Sequence, residues 1–286
     1  MTLRDILDLF GVSIAASLIA APVLALCGSL LHLRREAFLG VAAPQFASAG
    51  VALALWMLPL FPGVQEFFLE HGHPPMFYLL PFAAGSAVAA LLLYGLRSSR
   101  AGAGGQALAG SFALAGALSM IFLSHAPSGA NFAETMLRGE VLLLDVHDFT
   151  ALSAVSVLAV VFLIRWRRAL IVDAVDPEQA LALRLPSNAM RKALPVVLGI
   201  VVGCGVMTLG PILVFSLLFL PPLAAHGFAR GLRGSLLASL LISISVAAAA
   251  WPLAIGFDLP YGPAAGLLAG ASWAASGLWS MLRGQR

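Results

Sequence analysis

The sequence predicts an all-α integral membrane protein with about nine transmembrane helices, within a range of about eight to ten. Hydrophobic residues make up 60% of the 286 residues, charged residues make up only 10%, and the mean hydropathy is +0.97. A soluble globular domain carries about 25% charged residues. The hydrophobic residues are gathered in long runs that fill the chain, so residues 1–286 are expected to form a single transmembrane domain.

Nine of these runs approach the length that crosses a bilayer as a helix, about 20 residues. In chain order the candidate spans are 9–31, 41–61, 76–96, 106–124, 149–165, 193–209, 211–229, 235–256 and 263–282. The sixth and seventh spans meet at Gly210–Pro211. This pair predicts either one broken helix or two short helices joined at a turn.

The distribution of basic residues predicts the orientation of the spans. With the amino terminus outside, all of the 16 Lys and Arg residues except Arg4 and Arg138 fall on the cytoplasmic side. The positive-inside rule expects this asymmetry. The net charge of +3 and the pI of about 9.3 therefore indicate loops near anionic lipid. Nucleic-acid binding is excluded because no basic run is interleaved with exposed aromatic residues.

Two loops are long enough to hold further structure. The outer loop after the fourth span is expected to contain a short interfacial helix at 134–140. The inner loop, 166–192, contains Asp176-Pro177-Glu178, which is typical of a helix start with an N-cap aspartate and proline at the first position. The apolar residues that follow could place this inner helix against the membrane or a partner.

Five stretches carry a resemblance to a known family. They include GSLLHLRREAFLGVAAPQFASAGVALAL and GPILVFSLLFLPPLAAHGFARGLRGSLLAS, and in chain order they are 28–55, 134–149, 169–194, 210–239 and 257–270. In order and spacing, over nearly the whole chain, they resemble the permease subunit of ABC importers of the zinc/manganese/iron uptake family.

The resemblance implies a fold similar to that of cobalamin and siderophore importer permeases. It also implies a homodimer in the bacterial inner membrane that docks on two ABC ATPase subunits and receives substrate from an extracytoplasmic binding protein. This chain would bind no cofactor, and ATP would bind to the partner subunit. No catalytic triad, Gly-rich phosphate loop or HExxH motif occurs in the sequence, so we expect no enzymatic activity from the chain itself.

The start of the second span is the first candidate for the substrate pathway. Members of the family carry an aspartate here and a histidine four residues later, on one face of the helix. When Gly40 is aligned with the family glycine, these two positions are Val41 and Gln45. Both metal ligands are therefore replaced, and a bare cation would meet neither carboxylate nor imidazole. Three alternatives remain open. The metal would cross as a hydrated ion or a chelate, or other groups such as backbone carbonyls would act as its ligands. The third alternative is that the substrate is not a metal of this kind.

Other residues near this position are also pathway candidates. Pro44 frees backbone polar groups, which is tolerated where a helix lines a cavity, and Ser48 shares a face with Gln45. The alternative is that Gln45 bonds a neighbouring helix and Ser48 permits close packing. Thr208 and Ser216, on either side of the Gly210–Pro211 break, are further candidates.

The segment from Pro221 to Arg233 matches the part of the family that meets the ATPase. The sequence predicts that Pro221 and Pro222 end a span and that Phe228 projects between Arg230 and Arg233. An aromatic residue flanked by cations is suited to a subunit interface. The alternative is an ordinary positive-inside turn in which Phe228 lies at the headgroups. His226, within the segment, is interpreted as structural.

An outer cluster offers possible metal ligands at Glu66, Glu70, His71 and His73. Histidines spaced as His-x-His near carboxylates could capture a cation before it enters the membrane. Two alternatives remain open, which are simple solvation of these side chains and docking of a binding protein through the acidic pair.

Two other functional classes compete with the ABC permease. A secondary transporter, not coupled to an ATPase, usually needs an intramembrane carboxylate or histidine. No ionisable side chain falls well inside a predicted span. An intramembrane enzyme or assembly factor would require paired polar groups, which the spans also lack.

Overall fold

The computed structural model describes residues 3–71, 76–98, 104–126, 144 and 146–282. Within these ranges every regular element is helical, and α2 is followed by a short 3-10 turn, Leu58–Leu60. The helices are α1 (Leu3–Leu33), α2 (Ala37–Met57), α3 (Pro62–His71), α4 (Met76–Ser98), α5 (Gly104–His125), α6 (Val146–Val175), α7 (Pro177–Ala182), α8 (Ser187–Leu209), α9 (Pro211–Phe228), α10 (Gly231–Phe257) and α11 (Tyr261–Leu282).

Each predicted span coincides with one of these helices, and the predicted fold class is confirmed. Among the described residues, six helices (α1, α2, α6, α8, α9 and α10) are apolar enough, over a sufficient length, to cross a membrane. Two shorter apolar stretches, Phe77–Leu93 and Gly110–His125, lie in α4 and α5. The ninth predicted span corresponds to α11. The predicted outer helix at 134–140 lies outside the described residues.

The break at Gly210–Pro211 separates two helices, which resolves the alternatives left open by the sequence. Gly210 ends α8 with φ 80° and ψ 155°, a conformation that favours glycine. Pro211 then begins α9 at the first helical position, where its missing N–H costs no hydrogen bond.

The prediction that Pro221 and Pro222 end a span is wrong. Both prolines lie inside α9, which continues to Phe228, and Ala229 then adopts an extended conformation. Proline is tolerated inside a membrane helix when neighbouring helices and local adjustments satisfy the freed carbonyl groups. Pro221 and Pro222 are both buried among such neighbours.

The inner loop is also shorter than predicted, because α6 continues past residue 165 to Val175. Asp176 is extended (φ −144°, ψ 95°), as a residue before proline prefers, and this ends α6. The Asp176 side chain accepts hydrogen bonds at 3.0 Å from the backbone N–H groups of Glu178 and Gln179. The predicted N-cap of α7 is therefore correct.

Close packing at small residues and a few hydrogen bonds between side chains hold the helices together. A Cβ atom at Gly28 in α1 would overlap the carbonyl oxygen of Leu218 in α9, so only glycine permits this approach. Trp251 Nε1 in α10 donates to Ser17 Oγ in α1 at 3.0 Å. Such contacts place α9 centrally, against α1, α2, α8, α10 and α11.

Candidate translocation site

A cavity of about 350 Å³ lies between α2, α5 and the beginning of α9. Its lining residues are Val41, Pro44, Gln45 and Ser48 from α2, Phe112, Gly116, Ser119, Met120 and Leu123 from α5, and Pro211, Ile212 and Phe215 from α9. The four candidates from the second span thus share one wall. Helical periodicity explains this, because positions separated by three, four and seven residues lie on one face.

The cavity is largely apolar. Its polar side chains are those of Gln45, Ser48 and Ser119, and Ser119 Oγ already donates to the Ala115 carbonyl at 2.9 Å. Gly116 stands opposite Gln45, where an added Cβ would lie 3.2 Å from Gln45 Nε2. No ionisable side chain is among the lining residues. Across the described part of the chain, no three His, Cys, Asp or Glu residues form a group that could hold a metal ion.

Sequence reasoning missed the α5 wall of this cavity. Phe112, Gly116 and Ser119 follow one another at spacings of four and three residues, which is a helical face. The spacing was visible in the sequence. Nothing in the sequence, however, showed that this face meets α2, because that contact depends on how the helices pack.

The structure places Thr208 and Ser216 outside the cavity. Thr208 Oγ1 donates to the Cys204 carbonyl at 2.9 Å, and Ser216 Oγ donates to the Ile212 carbonyl at 2.7 Å. Both side chains are buried. Ser216 faces α11, where a Cβ on Gly266 would lie 2.9 Å from its hydroxyl oxygen. These hydroxyls therefore satisfy carbonyls of their own helices.

The link between α9 and α10 presents three of the five predicted coupling residues, Phe228, Arg230 and Arg233, at the surface, whereas Pro221 and Pro222 are buried. Phe228 is the last residue of α9 and is 42% exposed. Arg230 is extended and exposed at the N-cap of α10, and Arg233 is exposed in the first turn of that helix. Gly231 adopts φ 74°, which lets the chain turn sharply between the two helices. This coupling link, 228–233, thus combines one aromatic side chain with two cations.

A buried ion cluster lies at the same side of the molecule and was not predicted. Asp173 in α6 accepts from Arg34 Nη2 at 2.8 Å and from Arg191 Nε at 3.0 Å. Its side chain is only 2% exposed. Glu36 lies close to these charges, and burial, the largest effect, raises the pKa of its carboxyl group above the ordinary 4.5. The cluster joins the turn after α1 to α6 and α8.

The structure describes only part of the outer cluster formed by Glu66, Glu70, His71 and His73. Glu66 and Glu70 are exposed on α3, one turn apart. His73 and the side chain of His71 lie outside the described residues. The metal-capture hypothesis for this cluster therefore stays a prediction.

The solved structures that share this fold include the following two. PsaBC from Streptococcus pneumoniae, in complex with a Fab, has a TM-score of 0.77 and 18% identity, over 96% of this chain and 93% of that chain. A metal-chelate type ABC transporter in an inward-facing conformation has a TM-score of 0.72 and 16% identity, over 93% of this chain and 84% of that chain. At these identities the likeness shows the fold alone.

No curated protein matches the sequence. The model of the ABC 3 transport family, in contrast, matches residues 7–276. This match covers nearly the whole chain and confirms the resemblance that the five sequence stretches carried. The protein is a member of the ABC 3 transport family.

Proposed function

We propose that the chain is the permease subunit of an ATP-driven importer that carries a divalent metal, or a metal chelate, across the bacterial inner membrane. The observation that carries the proposal is the cavity between α2, α5 and α9. It brings Val41, Pro44, Gln45 and Ser48 to one wall, at the helix face where the family carries its pathway ligands. Family membership and the names of the two similar structures support metal or chelate transport.

The chemistry of the cavity favours a substrate that keeps its own ligands. A naked Zn²⁺ would lose its water in a space lined by apolar side chains, one amide and two hydroxyls, at a large desolvation cost. Water takes up about 30 Å³ per molecule in the liquid. A cavity volume of about 350 Å³ is therefore large enough for a hydrated ion or a compact chelate, and it exceeds what a bare cation needs.

The partners follow from the same assignment. Two copies of the chain would form a homodimer around the pathway, with the amino termini outside and the carboxyl termini in the cytoplasm. The coupling link would seat Phe228 on an ATPase subunit, and ATP hydrolysis would occur there. An extracytoplasmic binding protein would deliver the substrate. Family membership argues against the alternative of a secondary transporter.

The test is reconstitution in proteoliposomes with the partner ATPase and binding protein. We expect ATP-dependent uptake of Zn²⁺, Mn²⁺, Fe²⁺ or one of their chelates, together with stimulation of ATP hydrolysis by the loaded binding protein. Uptake that proceeds equally well without ATP or without the ATPase subunit would contradict the proposal.

A further inference from the structure

Arg34 lies in the turn after α1, called here the Arg34 turn, and the ends of the helices beside this turn are called the inner end of the molecule. Two histidines, one from α1 and one from α9, meet there. The ring centroids of His32 and His226 are 5.9 Å apart, with an angle of 39° between the rings. His226 lines a second cavity of about 260 Å³, whose wall also includes Ser29 and Pro222. The pair therefore lies where the packed helices meet an inner cavity.

The hydrogen bonding of His32 leaves one ring nitrogen available as a ligand. His32 Nδ1 lies 3.1 Å from the carbonyl oxygen of Gly28. Because a carbonyl oxygen can only accept, the neutral ring carries its proton on Nδ1 and has its lone pair on Nε2. His32 Nε2 is buried and has no hydrogen-bond partner within the part of the chain that the structure describes. Metal-ligating histidines are commonly oriented in this way, by a carbonyl that accepts from the other ring nitrogen.

A series of ring contacts connects this pair to the 350 Å³ cavity. Phe215 lines that cavity and stacks on Phe219 with a centroid separation of 5.7 Å. The Phe219 ring lies 5.6 Å from the His32 ring, and His32 in turn contacts His226. The same side of α9 thus leads from the cavity wall to the histidines.

We infer that His32 and His226 bind a divalent cation of the zinc type at the inner end of the translocation path. The inference rests on the proposed function and adds nitrogen ligands that the 350 Å³ cavity lacks. Two imidazoles on one Zn²⁺, with bonds of about 2.0–2.1 Å, place their ring centroids about 5 to 6 Å apart. The observed separation of 5.9 Å fits this geometry. His226, interpreted as structural from the sequence, gains a binding role.

The ligand set defines the class of cation and the strength of binding. Imidazole nitrogen suits Zn²⁺, Cu²⁺, Ni²⁺ and Fe²⁺, whereas Mn²⁺ and Mg²⁺ prefer oxygen ligands. With only two protein ligands, water from the inner cavity would complete the coordination. Such a site releases its ion readily, which a transport path requires.

The experiment measures metal binding by the full-length chain in lipid nanodiscs. Zn²⁺ and Mn²⁺ are titrated by calorimetry, and Co²⁺ reports nitrogen coordination through its visible absorption. His226→Gln removes the exposed ligand. His32→Phe removes the buried ligand but keeps a ring against Phe219, and elution and melting verify its fold. His125→Gln is the matched control, since His125 is exposed one turn after Phe122, which stacks on Trp56 at the end of α2 farthest from the Arg34 turn.

We expect Zn²⁺ to bind more tightly than Mn²⁺, and each site variant to weaken Zn²⁺ binding by about tenfold or more. The control variant should bind as the wild type does. Absence of Zn²⁺ binding by the wild type, or unchanged binding by both folded site variants, would overturn the inference. ATP-dependent uptake is scored separately in proteoliposomes. Its absence for every metal and chelate would overturn the proposed function, while the binding data still decide whether the two histidines hold a cation.

Discussion

Arg34 Nη2 lies 2.8 Å from Asp173 Oδ2 across 139 residues of sequence, and the Asp173 carboxylate of this ion pair is buried. Arg191 Nε holds the other carboxylate oxygen at 3.0 Å. A buried carboxylate is tolerated only when it is paired, and the loss of one partner leaves an uncompensated charge. The inner ends of α1, α6 and α8 are therefore fixed relative to one another at Asp173.

Asp173→Asn should destabilise the protein. The substitution leaves two arginines facing each other without their anion, and removing one partner of a buried ion pair typically costs about 3 kcal/mol or more. Thermal melting in nanodiscs measures the effect. Glu178→Gln is the control, because Glu178 is exposed on α7, and it should change stability by no more than about 0.5 kcal/mol. Equal melting of the Asp173 variant and the wild type would show that the cluster does not fix these helices.

Glu36 should make stability depend on pH. Burial, the largest effect, raises the pKa of its carboxyl group above 4.5, and the folded state therefore binds its proton more tightly than the unfolded state. The contribution of Glu36 to the free energy of unfolding then falls as the pH rises from about 4.5 through the raised pKa. Glu36→Gln should melt higher than the wild type at pH 7, and this difference should shrink as the pH is lowered. A difference that stays constant between pH 4.5 and pH 8 would contradict the assignment.

The sequence was sufficient to predict the features of the fold that depend on local periodicity and on the thickness of the bilayer. These factors determined the nine spans and the shared face of Val41 and Gln45, and the local helix-start signal at Asp176 gave the N-cap of α7. They could not predict the Arg34–Asp173 pair, because that contact depends on how α1 and α6 pack. The course of α9 through Pro221 and Pro222 was missed for a related reason, since only the neighbouring helices make an internal proline acceptable.

Phe228 should contribute to binding of the ATPase subunit. It is 42% exposed at the end of α9, beside two exposed arginines, and an aromatic anchor at an interface typically contributes about 2 kcal/mol or more. Phe228→Ala should therefore weaken the complex about thirtyfold, as measured by co-purification and surface binding of the ATPase. Phe257→Ala is a matched control, because Phe257 is 72% exposed at the opposite end of α10. Equal loss of affinity in both variants would indicate a general effect on the membrane domain rather than a contact at the coupling link.

The wall formed by Val41 and Gln45 should set metal selectivity. Val41→Asp combined with Gln45→His places a carboxylate and an imidazole on one face of α2, inside the 350 Å³ cavity. We expect the double variant to shift uptake towards free Zn²⁺ or Mn²⁺ and away from chelates, because the cation can now exchange water for protein ligands. Competition between free and chelated metals in proteoliposomes measures the shift. Thr208→Val and Ser216→Ala alter buried hydroxyls outside the cavity, and both should leave selectivity unchanged. If the double variant transports every substrate as the wild type does, the α2 wall does not line the path.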